Sequence, residues 1–347
     1  MAEISRKRRI AVVLFNLGGP DRPEAVQPFL CNLFNDPAII GLPQPFRGLL
    51  AWVISRRRAP IARAIYDKIG GGSPLLPLTQ EQAAALQASL GHLGQVQVFV
   101  AMRYWHPFAE ATAAAVKAFA PDEIVLLPLY PQYSTTTSAS SLADWQRVAA
   151  RHGITVPIHA VCCYPTEPGW IAAQAGLLRQ ALAQVRAGRK PRVLFSAHGL
   201  PQKVVDAGDP YQWQVGQTAA AIVAALGPAE LDWRVCYQSR VGPLKWLQPS
   251  IDVEIAHAGA EHMPLVVLPI AFVSEHSETL VELDIEYRHR AEAAGVPAYV
   301  RVPAVGTTAT FIAGLSRLVT DALGRTGTAP DGGKRLCPTA CSRCALA

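Results

Sequence analysis

The sequence predicts an α/β protein built from two Rossmann-like halves, each a four-stranded parallel sheet flanked by helices, with a cleft between them. Three observations predict this fold. Apolar, β-branched runs recur along the 347 residues, helical patterns separate most of them, and the runs are nearly continuous in apolar residues. Half of the residues are hydrophobic, which is enough for a sizeable buried core.

The strand candidates divide four and four, with the boundary near residue 150. They cover residues 9–17, 95–104, 123–130, 155–164, 192–198, 233–239, 264–273 and 298–305. Alanine-rich or amphipathic patterns predict helices at 78–93, 107–119, 138–152, 168–187, 210–226 and 308–324. We assign residues 1–150 to an N-terminal half and residues 151–325 to a C-terminal half. Ligands are expected beyond the carboxyl ends of the strands.

Residues 326–347 differ in composition and are assigned to a linker and a cysteine tail. The stretch GRTGTAPDGGKR, rich in glycine and small polar residues, predicts a flexible linker. Cys337, Cys341 and Cys344 follow at a spacing typical of a Cys₄ zinc or iron–sulfur site, but they supply only three ligands.

The fourth ligand would come from a distant cysteine. Cys162 and Cys163 end the strand TVPIHAVCCY, and adjacent strand residues face opposite ways, so only one of them is expected to point at the tail. We favour Cys163 narrowly over Cys162. Cys31 and Cys236 fall in a predicted helix and strand and are interpreted as buried small hydrophobic residues.

The charge pattern does not favour nucleic acid as a partner. The net charge is +6, and the positive residues gather mostly in short clusters at 6–9, 56–58 and 334–335. No nucleic-acid motif accompanies them, and anionic lipid or carboxylate-bearing substrates explain short basic clusters at least as well. The oligomeric state stays open, and a homodimer is compatible with the sequence.

Two observations bear on location. The longest apolar runs, such as 265–273, fall far short of the roughly 20 residues needed to span a bilayer. The beginning, MAEISRKRRI, lacks the apolar stretch and cleavage site of a signal peptide. We expect a cytoplasmic protein, peripheral on the inner face of the cell membrane, in which seven cysteines do not form a disulfide framework.

Residues 37–58, PAIIGLPQPFRGLLAWVISRRR, are more apolar than a surface loop should be. From Phe46 the apolar residues recur at helical spacing, and three arginines at 56–58 close the segment. The pattern predicts a short helix with an apolar face and a basic end. It either packs on the core or forms a lip that dips into the headgroup region of a membrane, and we favour the second interpretation.

A histidine and a row of carboxylates suit the handling of a divalent metal ion and of protons. His198 stands where an apolar strand ends, and Glu275, Glu278, Glu282 and Glu286 follow the 3-4-4 spacing of one helical face. A histidine with an ordinary pKa of about 6.5 accepts a proton or ligates a metal at neutral pH. Glu286 has a basic residue four positions on, Arg290, but the other three glutamates do not, and like charges without partners are tolerated more easily if a cation passes along them.

The motifs together resemble the ferrochelatase family, which inserts ferrous iron into a porphyrin to make haem. FSAHGLP and PIAFVSEHSETLVELDIEY carry the closest resemblance, and NLGGP, YDKIGGGSP, MRYWHP, PLYPQYS and YQSRVGPLKWL follow the family's order over roughly residues 8–325. The resemblance implies the two-half fold, Fe²⁺ and protoporphyrin IX as substrates, and a bacterial member with an added cysteine tail.

The resemblance also implies roles for individual residues. His198 and Glu278 match the catalytic pair, Glu282 matches a metal or proton path on an irregular helix, and Glu275 stands where some members carry aspartate. His276 either joins this path or packs against the loop. The residues implied to line the porphyrin pocket are Leu17, Arg103, Tyr104, Tyr130, Ser134 and Trp246, with Arg58, Tyr66 and Ser73 on the propionate side.

The tail departs from the family. Many animal members hold a [2Fe–2S] cluster with three C-terminal cysteines and one in the loop after PQYS, where this chain has Thr135. The prediction is therefore a [2Fe–2S] cluster on Cys163, Cys337, Cys341 and Cys344, with zinc or no metal as alternatives.

Other functions are less well supported by the sequence. The closest alternative is a related chelatase that acts on coproporphyrin III or another tetrapyrrole, although the apolar lip favours a hydrophobic porphyrin. A non-enzymatic iron–sulfur protein would have no need of His198 and Glu278. A dinucleotide oxidoreductase lacks its G-x-G-x-x-G fingerprint.

Overall fold

The computed structural model describes residues 8–185, 188–227, 230–240 and 242–346. Its strands are β1 (Arg9–Asn16), β2 (Gln95–Met102), β3 (Glu123–Pro128), β4 (Ile158–Val161), β5 (Arg192–His198), β6 (Asp232–Gln238), β7 (Leu265–Pro269), β8 (Tyr299–Arg301) and β9 (Gly327–Ala329). They form two parallel sheets, ordered β2-β1-β3-β4-β9 and β6-β5-β7-β8.

Helices occupy most of the connections. They are α1 (Val26–Phe34), α2 (Phe46–Asp67), α3 (Leu75–Ser89), α4 (Ala109–Phe119), α5 (Ser138–Arg151), α6 (Pro168–Gln184), α7 (Gln202–Asp206), α8 (Tyr211–Leu226), α9 (Ile251–Ala260), α10 (Tyr287–Ala293) and α11 (Ala309–Leu323). Two short 3₁₀ turns lie at Pro23–Ala25 and Gly91–Leu93, and a π-helix covers Glu278–Glu286.

The inner strands β1, β3, β5 and β7 are buried on both faces, which explains their nearly continuous apolar sequences. In β1, Ile10, Val12 and Leu14 belong to the largest core cluster, and the alternate residues Ala11 and Val13 belong to a second one. The largest cluster draws on both sheets and on helices α3, α6, α8 and α11. These helices therefore lie between the sheets, while α4 and α5 cover the outer face of the first and α9 and α10 that of the second.

The predicted fold class is confirmed, with two corrections to the first sheet. This sheet has five strands and not four, because Gly327–Ala329 pairs with β4 as β9. Part of the segment predicted to be a flexible linker is therefore an edge strand. Also, β4 lies after residue 150 yet pairs with β3, so the proposed boundary falls one strand too early. A lone three-residue strand carries too little pattern for sequence reasoning to find.

Two buried glutamine amides tie the halves together. Gln82 Nε2 on α3 donates to the carbonyls of Val273 and Gly306, each at 2.9 Å, and Gln82 Oε1 accepts from Ser274 Oγ at 3.0 Å. Gln132 Nε2 donates to Thr218 Oγ1 at 3.0 Å. These bonds fix the loop after β7, which leads into the π-helix, against the N-terminal half.

Candidate active site

His198 and Glu278 form a hydrogen-bonded pair at the carboxyl end of the second sheet. His198 is the last residue of β5, and its Nδ1 lies 2.8 Å from Oε2 of Glu278, the first residue of the π-helix. The His198 side chain keeps 38% of its surface exposed. Since Nδ1 faces a carboxylate, it carries a proton, and Nε2 is left to accept a proton or to ligate a metal.

The charges of this pair shift each other's titration. Burial alone would lower the pKa of His198, but the Glu278 carboxylate outweighs it, and the pKa of His198 is raised above its ordinary value. Burial alone would raise the pKa of Glu278, but the nearby imidazoles of His198 and His276 hold it well below its usual range. His276 Nε2 lies 3.9 Å from the same Glu278 oxygen.

Glu282 lies one turn further along the π-helix and is held differently. Its carboxylate accepts hydrogen bonds from Ser239 N at 2.9 Å, from Gln238 Nε2 at 3.2 Å and from Tyr287 OH at 3.2 Å. Burial and then the Glu278 charge raise the pKa of Glu282. The pKa values of the adjacent carboxylates Glu278 and Glu282 are thus shifted in opposite directions, downward for Glu278 and upward for Glu282.

The outer glutamates of the predicted row have basic partners. The prediction that Glu275 shares a helical face with the others is wrong, because the helix begins after it. Its carboxylate accepts from Arg301 Nη1 at 2.8 and 3.0 Å and from Ala304 N, and although burial opposes it, Arg301 lowers the pKa of Glu275. Glu286 pairs with Lys68 Nζ at 3.3 Å.

No three His, Cys, Asp or Glu side chains in the described ranges are grouped so as to hold one metal ion. Around His198 the arrangement offers one imidazole nitrogen beside one ionised carboxylate, with a protonatable carboxyl behind them. Such a set suits an ion that passes through better than an ion that stays.

Several predicted porphyrin-side residues meet this pair across the cleft. The Tyr66 phenol on α2 lies beside Ser277 and Glu278, and burial raises its pKa to about 12. Ser73 approaches the NLGGP motif so closely that a Cβ on Gly19 would lie 2.5 Å from Ser73 Oγ. Leu17 is half-buried in the same apolar cluster as Tyr66. The motifs NLGGP and GGGSP therefore form one wall.

On the other side, Trp246 packs close to the histidine. A Cβ on Gly199 would lie 3.4 Å from the Trp246 ring, and Leu247 N donates to Leu200 O at 3.0 Å. The buried Trp246 Nε1 has no hydrogen-bond partner among the described residues, and it is a donor that a bound polar group could satisfy. The Tyr130 phenol lies within hydrogen-bonding reach of Ser141.

Arg103 and Tyr104 are engaged by Asp36, which sequence reasoning missed. Arg103 Nη2 and Tyr104 OH each lie 2.8 Å from Asp36 Oδ2, and Ser140 Oγ donates to the same oxygen. Asp36 is 4% exposed and immediately precedes the predicted lip. A single aspartate in a loop carries no spacing signal, so only the fold reveals that Arg103 is neutralised inside the protein.

Ser134 is held by a second aspartate. Asp209 Oδ2 accepts from Ser134 Oγ at 3.0 Å and from Thr135 N and Oγ1, each at 2.7 Å. Asp209 Oδ1 accepts from Tyr211 N at 2.9 Å. The loop after β3 is therefore fixed to the beginning of α8. Asp209 was also missed from the sequence, since its partners lie about 75 positions away.

The predicted lip extends further than the sequence indicated. Helix α2 continues for nine residues past the three arginines, and its exposed surface is apolar at Phe46 (65%), Leu49 (64%) and Trp52 (47%). Arg56 lies over the Trp52 ring at 4.9 Å, and Arg58 faces Phe34 at 6.0 Å. No helix in the described parts of the chain is long and apolar enough to cross a membrane.

The cysteine tail folds back onto the body. Arg335 donates to the carbonyls of Cys337, Pro338 and Cys341, and Arg343 N donates to Gly208 O at 3.0 Å. Cys337 and Cys344 are buried and Cys341 is partly exposed.

Both candidate fourth ligands lie close to the tail. Gln214 Nε2 lies 3.1 Å from Cys337 Sγ and 3.4 Å from Cys163 Sγ, while Cys162 Sγ is 3.6 Å from Cys163 Sγ. The strand β4 ends at Val161, so Cys162 and Cys163 lie beyond it and the alternation of strand side chains does not separate them.

Comparison with solved structures supports the fold. SirB from Bacillus subtilis with Fe³⁺ superimposes with a TM-score of 0.54 at 12% identity, covering 91% of this chain and 95% of that one. The sirohydrochlorin chelatase SirB from Bacillus subtilis subspecies spizizenii in complex with cobalt gives 0.51 at 12% identity, covering 94% and 97%. At this identity the likeness shows a shared fold alone.

Comparison of sequences identifies the family. The ferrochelatase of Phenylobacterium zucineum (strain HLK1) is 57% identical over 340 residues, 97% of this chain and 98% of that protein. The ferrochelatase of Caulobacter vibrioides (strain NA1000 / CB15N) is 54% identical over 321 residues, 92% and 91% of the two chains. The model of the ferrochelatase family matches residues 9–323. The chain belongs to the ferrochelatase family, enzymes that insert a metal ion into a porphyrin.

Proposed function

We propose that this protein inserts Fe²⁺ into protoporphyrin IX, with loss of two protons, to form protohaem. The observation that carries the proposal is the His198–Glu278 pair at the carboxyl end of β5, with Nδ1 and Oε2 2.8 Å apart. It faces a wall that holds Tyr66, and Trp246 packs beside it. A proton acceptor and an ionised carboxylate at one mouth of an apolar cleft are the groups that metallation of a porphyrin requires.

In the mechanism that we propose, His198 Nε2 accepts a pyrrole proton while Nδ1 stays hydrogen-bonded to Glu278. The Glu278 carboxylate stabilises the imidazolium that forms, since it remains ionised throughout the neutral range. Glu282, whose pKa is raised, would take protons onward along the π-helix. Fe²⁺, as substrate, would meet the same imidazole and carboxylate at the face of the porphyrin ring. The proton and the iron can bind these groups only in turn.

The propionate side would be formed by α2 and the GGGSP loop. Arg58 is half-buried and not ion-paired within the described residues, unlike Arg103, which is neutralised by Asp36. We therefore assign carboxylate recognition to Arg58, with Tyr66 and Ser73, and a structural role to Arg103. Leu17, Tyr130, Ser134 and Trp246 would line the ring.

The test is an anaerobic assay with Fe²⁺ and protoporphyrin IX, with coproporphyrin III as the competing substrate. We expect faster metallation of protoporphyrin, and loss of metallation in His198→Ala with porphyrin binding retained. Faster turnover of coproporphyrin would assign the alternative substrate. Wild-type turnover in His198→Ala would refute the proposed proton acceptor, and no turnover of any porphyrin would favour a non-enzymatic protein.

We further propose that α2 docks on the inner face of the cell membrane. The support is its exposed apolar surface at Phe46, Leu49 and Trp52, which lies next to Arg56 and Arg57. A hydrophobic porphyrin would then enter the cleft from the lipid. A homodimer stays a prediction.

We propose that a [2Fe–2S] cluster binds to Cys163, Cys337, Cys341 and Cys344. The donor set supports the proposal, because the buried thiols of Cys163 and Cys337 share one amide donor and Cys337 borders Cys344. No group of three His, Cys, Asp or Glu side chains among the described residues is placed to hold a single metal ion, and zinc stays an alternative. When bound, such a cluster carries one electron and ties the tail to the body.

Serine substitution tests these ligands. The wild-type protein should contain two irons and two sulfides per chain, as the [2Fe–2S] formula requires. Replacing Cys337, Cys341 or Cys344 one at a time should remove this iron and sulfide and the visible absorbance. Parallel Cys162→Ser and Cys163→Ser variants identify the fourth ligand, and Cys31→Ser is the control. Zinc in place of iron, or neither metal in anaerobically purified wild type, would contradict the cluster.

A further inference from the structure

One buried side chain joins the tail cysteines to the loop that carries Ser134. Gln214 lies in the first turn of α8 and is fully buried. Its Oε1 accepts the backbone N–H of Tyr133 at 2.7 Å. A backbone N–H can only donate, so the carbonyl end of the amide faces Tyr133 and the NH₂ end faces the sulfur atoms of Cys163 and Cys337.

The surrounding contacts show that this junction is built on both sides. Gly208 precedes α8, and a Cβ there would lie 2.2 Å from Ser342 Oγ of the tail, so the tail packs directly on its backbone. Asp209 holds Ser134 and Thr135 from the opposite side. Residues 208–214 therefore contact the tail and the Ser134 loop at once.

We propose that Gln214 is a positioning residue that couples the metal-bound state of the tail cysteines to the placement of the Tyr133–Ser134 segment. The proposal rests on the proposed function, from which it takes the cluster and the pocket role of Ser134. A single amide would transmit the state of the tail cysteines to the Tyr133–Ser134 segment.

The physical reason is the difference between a thiol and a metal-bound thiolate. A thiolate sulfur carries negative charge and accepts N–H bonds well, whereas a neutral thiol accepts weakly. Metal-bound Cys163 and Cys337 would hold the NH₂ end of Gln214 and so keep Oε1 aimed at Tyr133. Without the metal, the Tyr133 N–H alone sets the orientation of the amide, and two neutral thiols hold its NH₂ end only weakly. The Gln214 side chain is then less firmly positioned, and so is the Tyr133 N–H that it accepts.

Two substitutions separate the ends of the amide. Gln214→Glu keeps an oxygen for Tyr133 but removes the donor, and it places a carboxylate against the sulfurs. We expect a more negative midpoint potential or loss of the cluster from visible and paramagnetic resonance spectra. Gln214→Leu removes both ends, and porphyrin affinity, measured by fluorescence quenching, should also fall by up to about tenfold, as expected for one lost hydrogen bond.

A double-mutant cycle tests the coupling itself. Cys337→Ser and Gln214→Leu should weaken porphyrin binding to similar extents, and the double variant should be no weaker than either. The matched control is Gln174→Leu on α6, a fully buried glutamine whose amide has no hydrogen-bond partner among the described residues. It should change neither the cluster spectrum nor porphyrin affinity.

The outcomes distinguish this inference from the proposed function. Suppose that the wild-type protein contains cluster iron and sulfide. An unchanged midpoint potential in Gln214→Glu, together with additive effects in the double-mutant cycle, would then overturn the coupling alone. Wild-type protein without iron and sulfide would overturn the cluster and the coupling together. Should Gln214→Leu fail to fold, the potential of Gln214→Glu and porphyrin binding by Cys337→Ser still decide the question.

Discussion

At the scale of single residues, the site is set by which charges face one another. His198 has Glu278 at 2.8 Å, while Glu275, only three positions earlier in the sequence, is taken by Arg301. From their spacing in the sequence, the four glutamates were predicted to lie on one helical face. Their chemistry differs because partners from distant strands reach some of them and not others, and Arg301 in β8 is such a partner.

The pH dependence of turnover follows from this pair. A proton acceptor must be neutral, and the Glu278 charge raises the pKa of His198, so kcat/KM should rise with pH through a value above about 6.5. In Glu278→Gln the raising charge is gone and burial remains, so the same limb should move to lower pH. Glu275→Gln is the control, because its carboxylate faces Arg301.

This prediction is checked with kcat/KM profiles, or by histidine-selective NMR titration where turnover is too low. An acid limb that stays in place in Glu278→Gln would show that another group limits the reaction. A limb that moves equally in Glu275→Gln would mean that net charge, and not the contact with His198, sets the pKa.

At the scale of elements, the regular pieces were predictable and the irregular ones were not. The eight predicted strands and six predicted helices are all present, because period and apolar content report burial directly. The π-helix at Glu278–Glu286 has no such signal. By periodicity its sequence, ETLVELDIE, is that of an ordinary helix, and only the family resemblance implied an irregular helix there; the structure shows a π-helix that begins at Glu278, beside His198. Likewise, β9 is too short to detect.

Helix α2 makes the element-scale prediction. Phe46→Ser with Leu49→Ser should strongly reduce co-sedimentation with anionic liposomes, since burial of each side chain contributes about 1.5–3 kcal/mol. Arg56→Gln with Arg57→Gln should reduce it by about 1 kcal/mol per charge, and only at low salt.

The matched control for the apolar changes is Val253→Ser, an exposed apolar residue on α9. It should leave co-sedimentation unchanged. If the α2 variants pellet with vesicles as well as wild type does, the apolar surface serves another partner and the membrane proposal is wrong.

At the scale of the whole molecule, the two sheets share one core, and buried amides fix their relative position. The largest apolar cluster contains residues of both sheets, but apolar contacts are not directional. The directional hydrogen bonds of Gln82 and Gln132 fix the position of one sheet relative to the other. The two halves could therefore be predicted from periodicity, which reports apolar burial, whereas their relative placement could not. A single glutamine within α3 looks like any surface residue of an amphipathic helix.

Gln82 therefore gives the final prediction. Gln82→Leu removes three hydrogen bonds and leaves the carbonyls of Val273 and Gly306 without this donor. We expect a loss of about 3 kcal/mol in the free energy of unfolding, at about 1 kcal/mol for each bond, measured by guanidinium denaturation. Because Ser274 leads into the loop of His276 and Glu278, kcat should fall as well. Gln174→Leu, which removes an equally buried but unpartnered amide, should be neutral or stabilising. Equal destabilisation by both changes would show that side-chain volume, and not the bonds between the halves, holds this loop in place.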